Sequence, residues 1–553
     1  MRKHGRDSFF VVGEGVLEFD ANGEPTASQP STAEELRRFR FSRLGPEGPQ
    51  TDEATRVALA TAITAAVPQP DDPAVPAGFT YLGQFVDHDL TLDRTESQLG
   101  EDVNLDELMQ GRSPALDLDS VYGRGPTDRD DRRFYAADGV KLKIGTTAAV
   151  AFPDDRVNVD LEGFDLPRVG GNTGTRADRR KPLIPDTRND ENLVVAQTHL
   201  AFIRFHNRVV DDLALKGVSE RRLFEMAREQ VVRHYQWMLR TDFLPRIVDP
   251  AIVDDVFANG RRFFEAPGRG GFPRGLRPTM PIEFAVAAYR LGHSMVRGAY
   301  QWNRVFRSSG PGGIASLLAL FTFTGTSGNF QPGSTVEQLD DPNSGTLDRL
   351  PTNWIADFRR LFDFTEAGRP DLAAPAALDG GNVTKRIDSL LVDPLTQLPA
   401  GTFDGRGTTF PAIQRNLAFR NLTRANMVRL ASGQQMARFF GVEPLTAEQI
   451  LQGNQGADLG PLTDEQEAAI TTATPLWFYI LREAEFTNGK LGAVGGRIVA
   501  EVFHRSMEGS RISIVREPSW RPTLGPDKNT FRMTDLLLFA FEGKADLLNP
   551  LGD

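Results

Sequence analysis

Residues 191–215 place Leu193, Ala196, Leu200, Ile203, Val210 and Leu213 at helical spacing. One long helix therefore carries an apolar stripe that other elements must cover. Further helical segments fall at 52–67 and at about 219–241, 281–299, 352–363, 410–440, 445–452, 463–487, 494–508 and 532–541, most of them punctuated by Gly or Pro. Strand signals are few and short, such as Phe10-Val11-Val12 and Val140 to Ile144. Residues 68–79 form a Pro-rich connector, and 110–190 are turn-rich with many Asp, Gly and Arg. There is no repeat of fixed period, so a solenoid is not expected. The pattern predicts a mainly α fold with few short strands and long irregular stretches.

Length alone gives the 553 residues a prior of about three to four domains. No apolar run reaches the roughly 18–20 residues of a membrane-spanning helix. Lys plus Arg total 63 against 74 Asp plus Glu, a net charge of -11, which argues against nucleic acid as a partner. With no cysteine, disulfides, zinc fingers, iron–sulfur clusters, thiolate-ligated haem and cysteine nucleophiles are excluded together. The first twenty residues begin basic but hold only a five-residue apolar run, Phe9 to Gly13, before acidic residues. No secretory signal is read there, and the expected compartment is the cytoplasm.

Five clusters carry candidate chemistry. His88, one of only seven histidines, lies in Gln84-Phe85-Val86-Asp87-His88-Asp89. Flanking carboxylates keep an imidazole basic and an amide orients a small ligand, which suits a general base, although an isolated VDHD is also a common surface turn. Asp117-Leu118-Asp119-Ser120 offers oxygens to a hard cation, or acidic caps to a helix. Asp186 to Asn192 holds capping residues and Arg188 immediately before the long helix, where an Arg can also stabilise a departing hydroxide. His199 and His206 lie near that helix's apolar face and read as core or supporting histidines. His293 sits in an apolar helical segment behind Gly292, which lets a flat cofactor approach. Asn421 and Arg424 share a helical turn and can orient an imidazole and bind a carboxylate. There is no HExxH and no GxSxG, so zinc and serine hydrolases are not supported.

In this order the five clusters resemble the haem peroxidases of the animal type, in the peroxidase–cyclooxygenase superfamily, over about residues 40–510. The resemblance implies haem b and Ca²⁺ as cofactors. It implies Gln84, His88 and Arg188 as the catalytic residues, and ester links to the haem through Asp87 and Glu191. His293 would be the proximal iron ligand, with Asn421 accepting a hydrogen bond from its far nitrogen and Arg424 and Arg290 near the propionates. Calcium would be held by Asp89, Ser113, Ala115, Asp117 and Asp119. The implied activity is reduction of H₂O₂ through a ferryl intermediate, with oxidation of a halide, thiocyanate or a small organic donor such as a phenol.

Residues from 84 to 424 must then share one core, which overrides the length prior: a single large helical domain around a buried haem, 36–553, with 1–35 as an N-terminal extension. Two departures stand out. Position 192 is Asn, where some members carry a methionine bonded to haem, so that third link is not expected. The animal enzymes are secreted and disulfide-bonded, so this chain resembles a bacterial, single-chain member. Two alternatives remain. One is a haem-dependent fatty-acid dioxygenase of linoleate type, although the position three before His293 is Arg290 rather than the cyclooxygenase tyrosine, with Tyr289 one residue further back. The other is a non-catalytic haem-binding helical protein.

Overall fold

A computed structural model describes residues 16–19, 25–28, 41–95, 97–152, 155–266, 278–403 and 405–553. The expected extension 1–35 is described only as a hairpin, Val16–Phe19 against Pro25–Ser28; the Phe10-Val11-Val12 strand signal lies outside the described residues. At the centre is the helix Leu193–Leu215. Asn192 caps it, accepting from the Val195 N–H at 3.0 Å, and its last turn runs out into Gly217 at φ 81°. It packs on Glu220–Met238, Met533–Ala540 and the helix Gly78–Leu90, and its apolar stripe from Leu193 to Leu213 is buried. Among the described residues the strands form two-stranded sheets only. One of them, Asp71–Pro76 against Val383–Lys385, is antiparallel and leads directly into Gly78–Leu90. Gly78 is needed there because a Cβ would lie 2.3 Å from the Phe362 ring.

Several expected helices are shorter or of another type. The segment 52–67 is helical over Glu53–Ile63. The segment 463–487 is two helices, Asp464–Thr472 and Leu476–Phe486, parted at Pro475, because proline lacks an N–H to continue the ladder. The segment 352–363 holds only 3₁₀ turns, and Val140 to Ile144 forms a bridge at Leu142 rather than a strand. The stretch 281–299 departs most. A π-turn, Glu283–Ala287, meets a 3₁₀ segment, Ala288–His293, and the helix stops at Ser294. Fixed partners hold this irregular backbone: Glu283 accepts from the Leu44 and Gly45 N–H groups at 2.9 Å, and the Trp477 indole donates to the Arg290 carbonyl at 3.2 Å. The 3₁₀ segment packs between Leu476–Phe486, Gly495–Gly509 and Gly78–Leu90.

Candidate active site

The polar stretch around His88 is a helix rather than a surface turn: Gly78–Leu90 buries Asp87, His88 and Asp89. Successive residues of a helix point about 100° apart, so the three acidic and basic groups reach three different partners. Asp87 accepts from the Thr91 hydroxyl at 3.0 Å and faces Arg290 at 3.5 Å. Asp89 accepts from the Ser120 hydroxyl at 3.0 Å and the Leu118 N–H at 3.2 Å. His88 Nδ1 lies 2.8 Å from Asn189 Oδ1, and its Nε2 is 3.6 Å from Glu191.

A second strand of interactions starts at Asp186. This buried carboxylate accepts from the Arg188 backbone N–H and Nε on Oδ1, and from Arg188 Nη2 and Arg112 Nε on Oδ2. The two guanidinium groups hold it well below the usual carboxylate range against the effect of burial. Arg188 also donates to the His88 carbonyl at 3.1 Å. Burial, and then the Arg188 charge, lowers the His88 imidazole to about 4, so it is a neutral base at pH 7. Burial raises the Glu191 carboxyl to about 8 despite Arg188. Gln84 donates its amide to Glu191, and Asn192 Nδ2 donates to Gln84 Oε1 at 2.7 Å. Asn192 thus caps a helix with one end of its amide and orients Gln84 with the other.

In the 3₁₀ segment, His293 Nδ1 lies 2.8 Å from Asn421 Nδ2. The pair is the expected one, but the amide presents its nitrogen; a half-turn about the last side-chain torsion would present Oδ1 to an Nδ1–H, the sense expected above. Burial and then Arg290 lower His293 to about 3, leaving it a neutral imidazole. Its Nε2 makes no hydrogen bond among the described residues. A Cβ on the adjacent Gly292 would meet nothing within 4 Å. Burial and then the Arg290 charge lower Arg424. An imidazole nitrogen without a partner among the described residues, open space beside it and two cationic side chains, Arg290 and Arg424, fit a flat, iron-containing dianion such as haem.

Carboxylate oxygens of Asp89, Asp117 and Asp119 lie within 4.8 Å of one another, all buried. Burial raises Asp89 and Asp119, and for Asp119 the Asp89 charge adds to it. The buried Ser113 hydroxyl and Asp119 Oδ1 make no hydrogen bond among the described residues, while the Ser113 N–H donates to Asp119 at 3.3 Å and the Asp117 N–H to the Ala115 carbonyl at 3.1 Å. Leu118, between the acids, is held at φ 61°. This all-oxygen donor set suits a hard cation such as Ca²⁺. Asp119 also heads the four-residue helix Asp119–Tyr122, whose N-cap is Leu118 with no side-chain cap bond.

Every residue expected at the site is therefore brought to one of three adjoining places: the His88 side, the His293 side or the acidic cluster. The sequence reading missed Arg112, Asn189 and the role of Asn192. Arg112 bridges Asp186 and Asp119, the latter at 3.5 Å, and so joins the acidic cluster to Arg188. Asn192 falls within the run of capping residues expected before the long helix and caps it, but its bond to Gln84 was not expected. The polar pattern of Asp186 to Asn192 held the signal, but partners 74 to 108 positions away leave no local trace. His206 is a satisfied core histidine, bonded to the Tyr122 hydroxyl at 3.0 Å and the Val140 carbonyl at 2.9 Å.

Fold and site together describe a mainly α-helical protein whose buried polar residues could hold a haem. Residues 92–315 match the family model for animal haem peroxidase. The matched range includes Arg188, Glu191 and His293 and begins just after the helix that bears His88. A peroxidase-like protein of Margaritifera margaritifera is 26% identical over 353 residues, 56% of this chain and 42% of the relative. The chain thus spans under half the length of that curated relative. Among solved structures, Peroxidase A from Dictyostelium discoideum superposes with a TM-score of 0.51 at 15% identity, covering 96% of this chain and 95% of its own. A fatty acid alpha-dioxygenase from Arabidopsis thaliana gives 0.52 at 12% identity, covering 92% and 78%. These two likenesses establish the fold.

Proposed function

We propose that the protein is a haem peroxidase that reduces H₂O₂ and oxidises a halide, thiocyanate or a small phenol. The observation that carries this is the pairing of His88 with Arg188, which is anchored on Asp186 and donates to the His88 carbonyl, together with a His293 bonded to Asn421 beside the open space at Gly292. His293 would hold the iron, with Asn421 orienting its ring and Arg290 and Arg424 taking the propionates. Asp87 and Glu191 would form the esters. The bound group would supply the redox chemistry.

The chain's own residues would do the rest. His88 Nε2 takes a proton from hydrogen peroxide and delivers it to the oxygen that leaves as water. Arg188, fixed by Asp186, stabilises negative charge as the O–O bond breaks. Gln84, held between Asn192 and Glu191, positions the small ligand. A calcium ion on Asp89, Asp117, Asp119, Ser113 and the Ala115 carbonyl would fix the turn adjoining His88.

The test is an absorption spectrum of purified protein given haem and calcium, then rapid mixing with H₂O₂. A haem band that changes within milliseconds and returns on adding bromide, iodide or a phenol supports the proposal. Oxygen uptake on linoleate without that reaction would favour the dioxygenase. A bound haem inert to both would favour the non-catalytic protein, and no haem uptake would overturn all three.

A further inference from the structure

Asn189 lies between two imidazoles. Its Oδ1 is 2.8 Å from His88 Nδ1, and its Nδ2 is 2.9 Å from His199 Nδ1. Asn189 and His199 are wholly buried and His88 is 4% exposed, so water does not compete. The three side chains come from three elements: the helix Gly78–Leu90, the 3₁₀ turn Thr187–Asp190 and the helix Leu193–Leu215. An amide accepts at one end and donates at the other. Its oxygen can face only a protonated ring nitrogen, and its NH₂ only a bare one. The two histidines must therefore hold opposite tautomers.

We propose that Asn189 is a positioning residue that locks His88 in the Nδ1–H tautomer and so leaves Nε2 bare for the incoming proton. This rests on the peroxidase reading for the use made of Nε2, but not for the tautomers themselves. Burial lowers His199 to about 3, so its Nδ1 stays available as an acceptor at neutral pH. The Phe85 ring packs edge-to-face on His199 at 5.8 Å and stacks on Phe202 at 4.4 Å, which keeps the supporting ring from turning. Were the amide turned over, His88 would carry its proton on Nε2 and that nitrogen could not accept another.

The experiment reads tautomers directly. Protein labelled with ¹⁵N-histidine, with haem in its diamagnetic carbon monoxide form, is examined by magic-angle-spinning NMR, and His88 and His199 are assigned by the loss of their signals in single variants. The expected result is His88 as Nδ1–H and His199 as Nε2–H. In Asn189→Asp, whose two oxygens both accept, His199 should switch to Nδ1–H while His88 keeps its tautomer.

Cyanide binding gives the second readout, because hydrogen cyanide hands its proton to a base as it binds. Asn189→Leu should slow its on-rate about 10–100-fold, and Asn189→Asp should restore it to within about threefold. Matching tautomers in the two rings, His88 as Nε2–H, or an unchanged cyanide rate in a folded Asn189→Leu protein would each overturn the proposal. A chain that takes up no haem overturns the peroxidase reading instead, and the tautomers are then read on the haem-free protein.

Discussion

Replacing Asp186 by Asn removes the charge that two buried guanidinium groups share. The carboxylate takes Arg112 Nε at 3.0 Å, Arg188 Nε at 3.1 Å, Arg188 NH2 at 2.7 Å and the Arg188 N–H at 3.0 Å, besides a second bond from Arg112. An amide NH₂ in place of one oxygen points donors at donors. Breaking a buried pair from one side costs about 3–5 kcal/mol. Asp119, 3.5 Å from Arg112, compensates one of the two cations, so the low end, about 3 kcal/mol, applies. That is a roughly 150-fold change in the folding equilibrium.

The assay is urea unfolding from pH 8 into acid. The folded pKa of Asp186 lies below its ordinary 3.8, so its contribution is full above that value and is lost as pH falls through the depressed one. The gap between parent and Asp186→Asn should be constant from neutrality down to about pH 5 and close below 3.8. Reaction with H₂O₂ should slow about 10–100-fold as Arg188 loses its anchor. Equal midpoints at pH 7, or a gap that persists unchanged in acid, would refute the reasoning.

Glu191 titrates the other way: its folded carboxyl stands at about 8 against an ordinary 4.5, so the haem-free protein should lose stability as pH rises through that window. Thermal melts against pH should show that slope, and Glu191→Gln should flatten it. Calcium added to chelator-treated protein should raise the melting temperature, by an amount equivalent to about 2.7 kcal/mol at a hundredfold excess over Kd; calorimetry on Asp117→Ala should find the binding lost. Asn192→Leu should cost about 1 kcal/mol as a lost cap, and a crystal structure should show Gln84 turned away from Glu191.

The central helix was legible because its apolar residues repeat with one period from Leu193 to Leu213, and packing on several sides only reinforces that period. The five motifs were legible because each is a short local run. The helix around His88 was not, since Asp87, His88 and Asp89 are buried against residues some thirty to two hundred positions away and so break the apolar pattern. Around His293, the same apolar residues satisfy a π-turn and a 3₁₀ segment as well as an α-helix; the choice is made by Glu283 and Trp477 holding the backbone from outside. Arg112 acts through Asp186, 74 positions away, and Asn189 through His88, 101 positions away, so neither role shows in the local sequence.

Because Asp87, His88 and Asp89 are consecutive, the helix that bears them works like a key with three teeth. Arg290 grips one tooth, and Leu118 and Ser120 grip another, so the helix cannot roll about its own axis and the tooth between them has no freedom of its own. A single inserted residue just before position 87 would turn the set by about 100°, presenting each group to its neighbour's lock. Just upstream, the strand Asp71–Pro76 is itself paired with Val383–Lys385, so the stretch in which length is forbidden to vary runs from that strand to the third tooth.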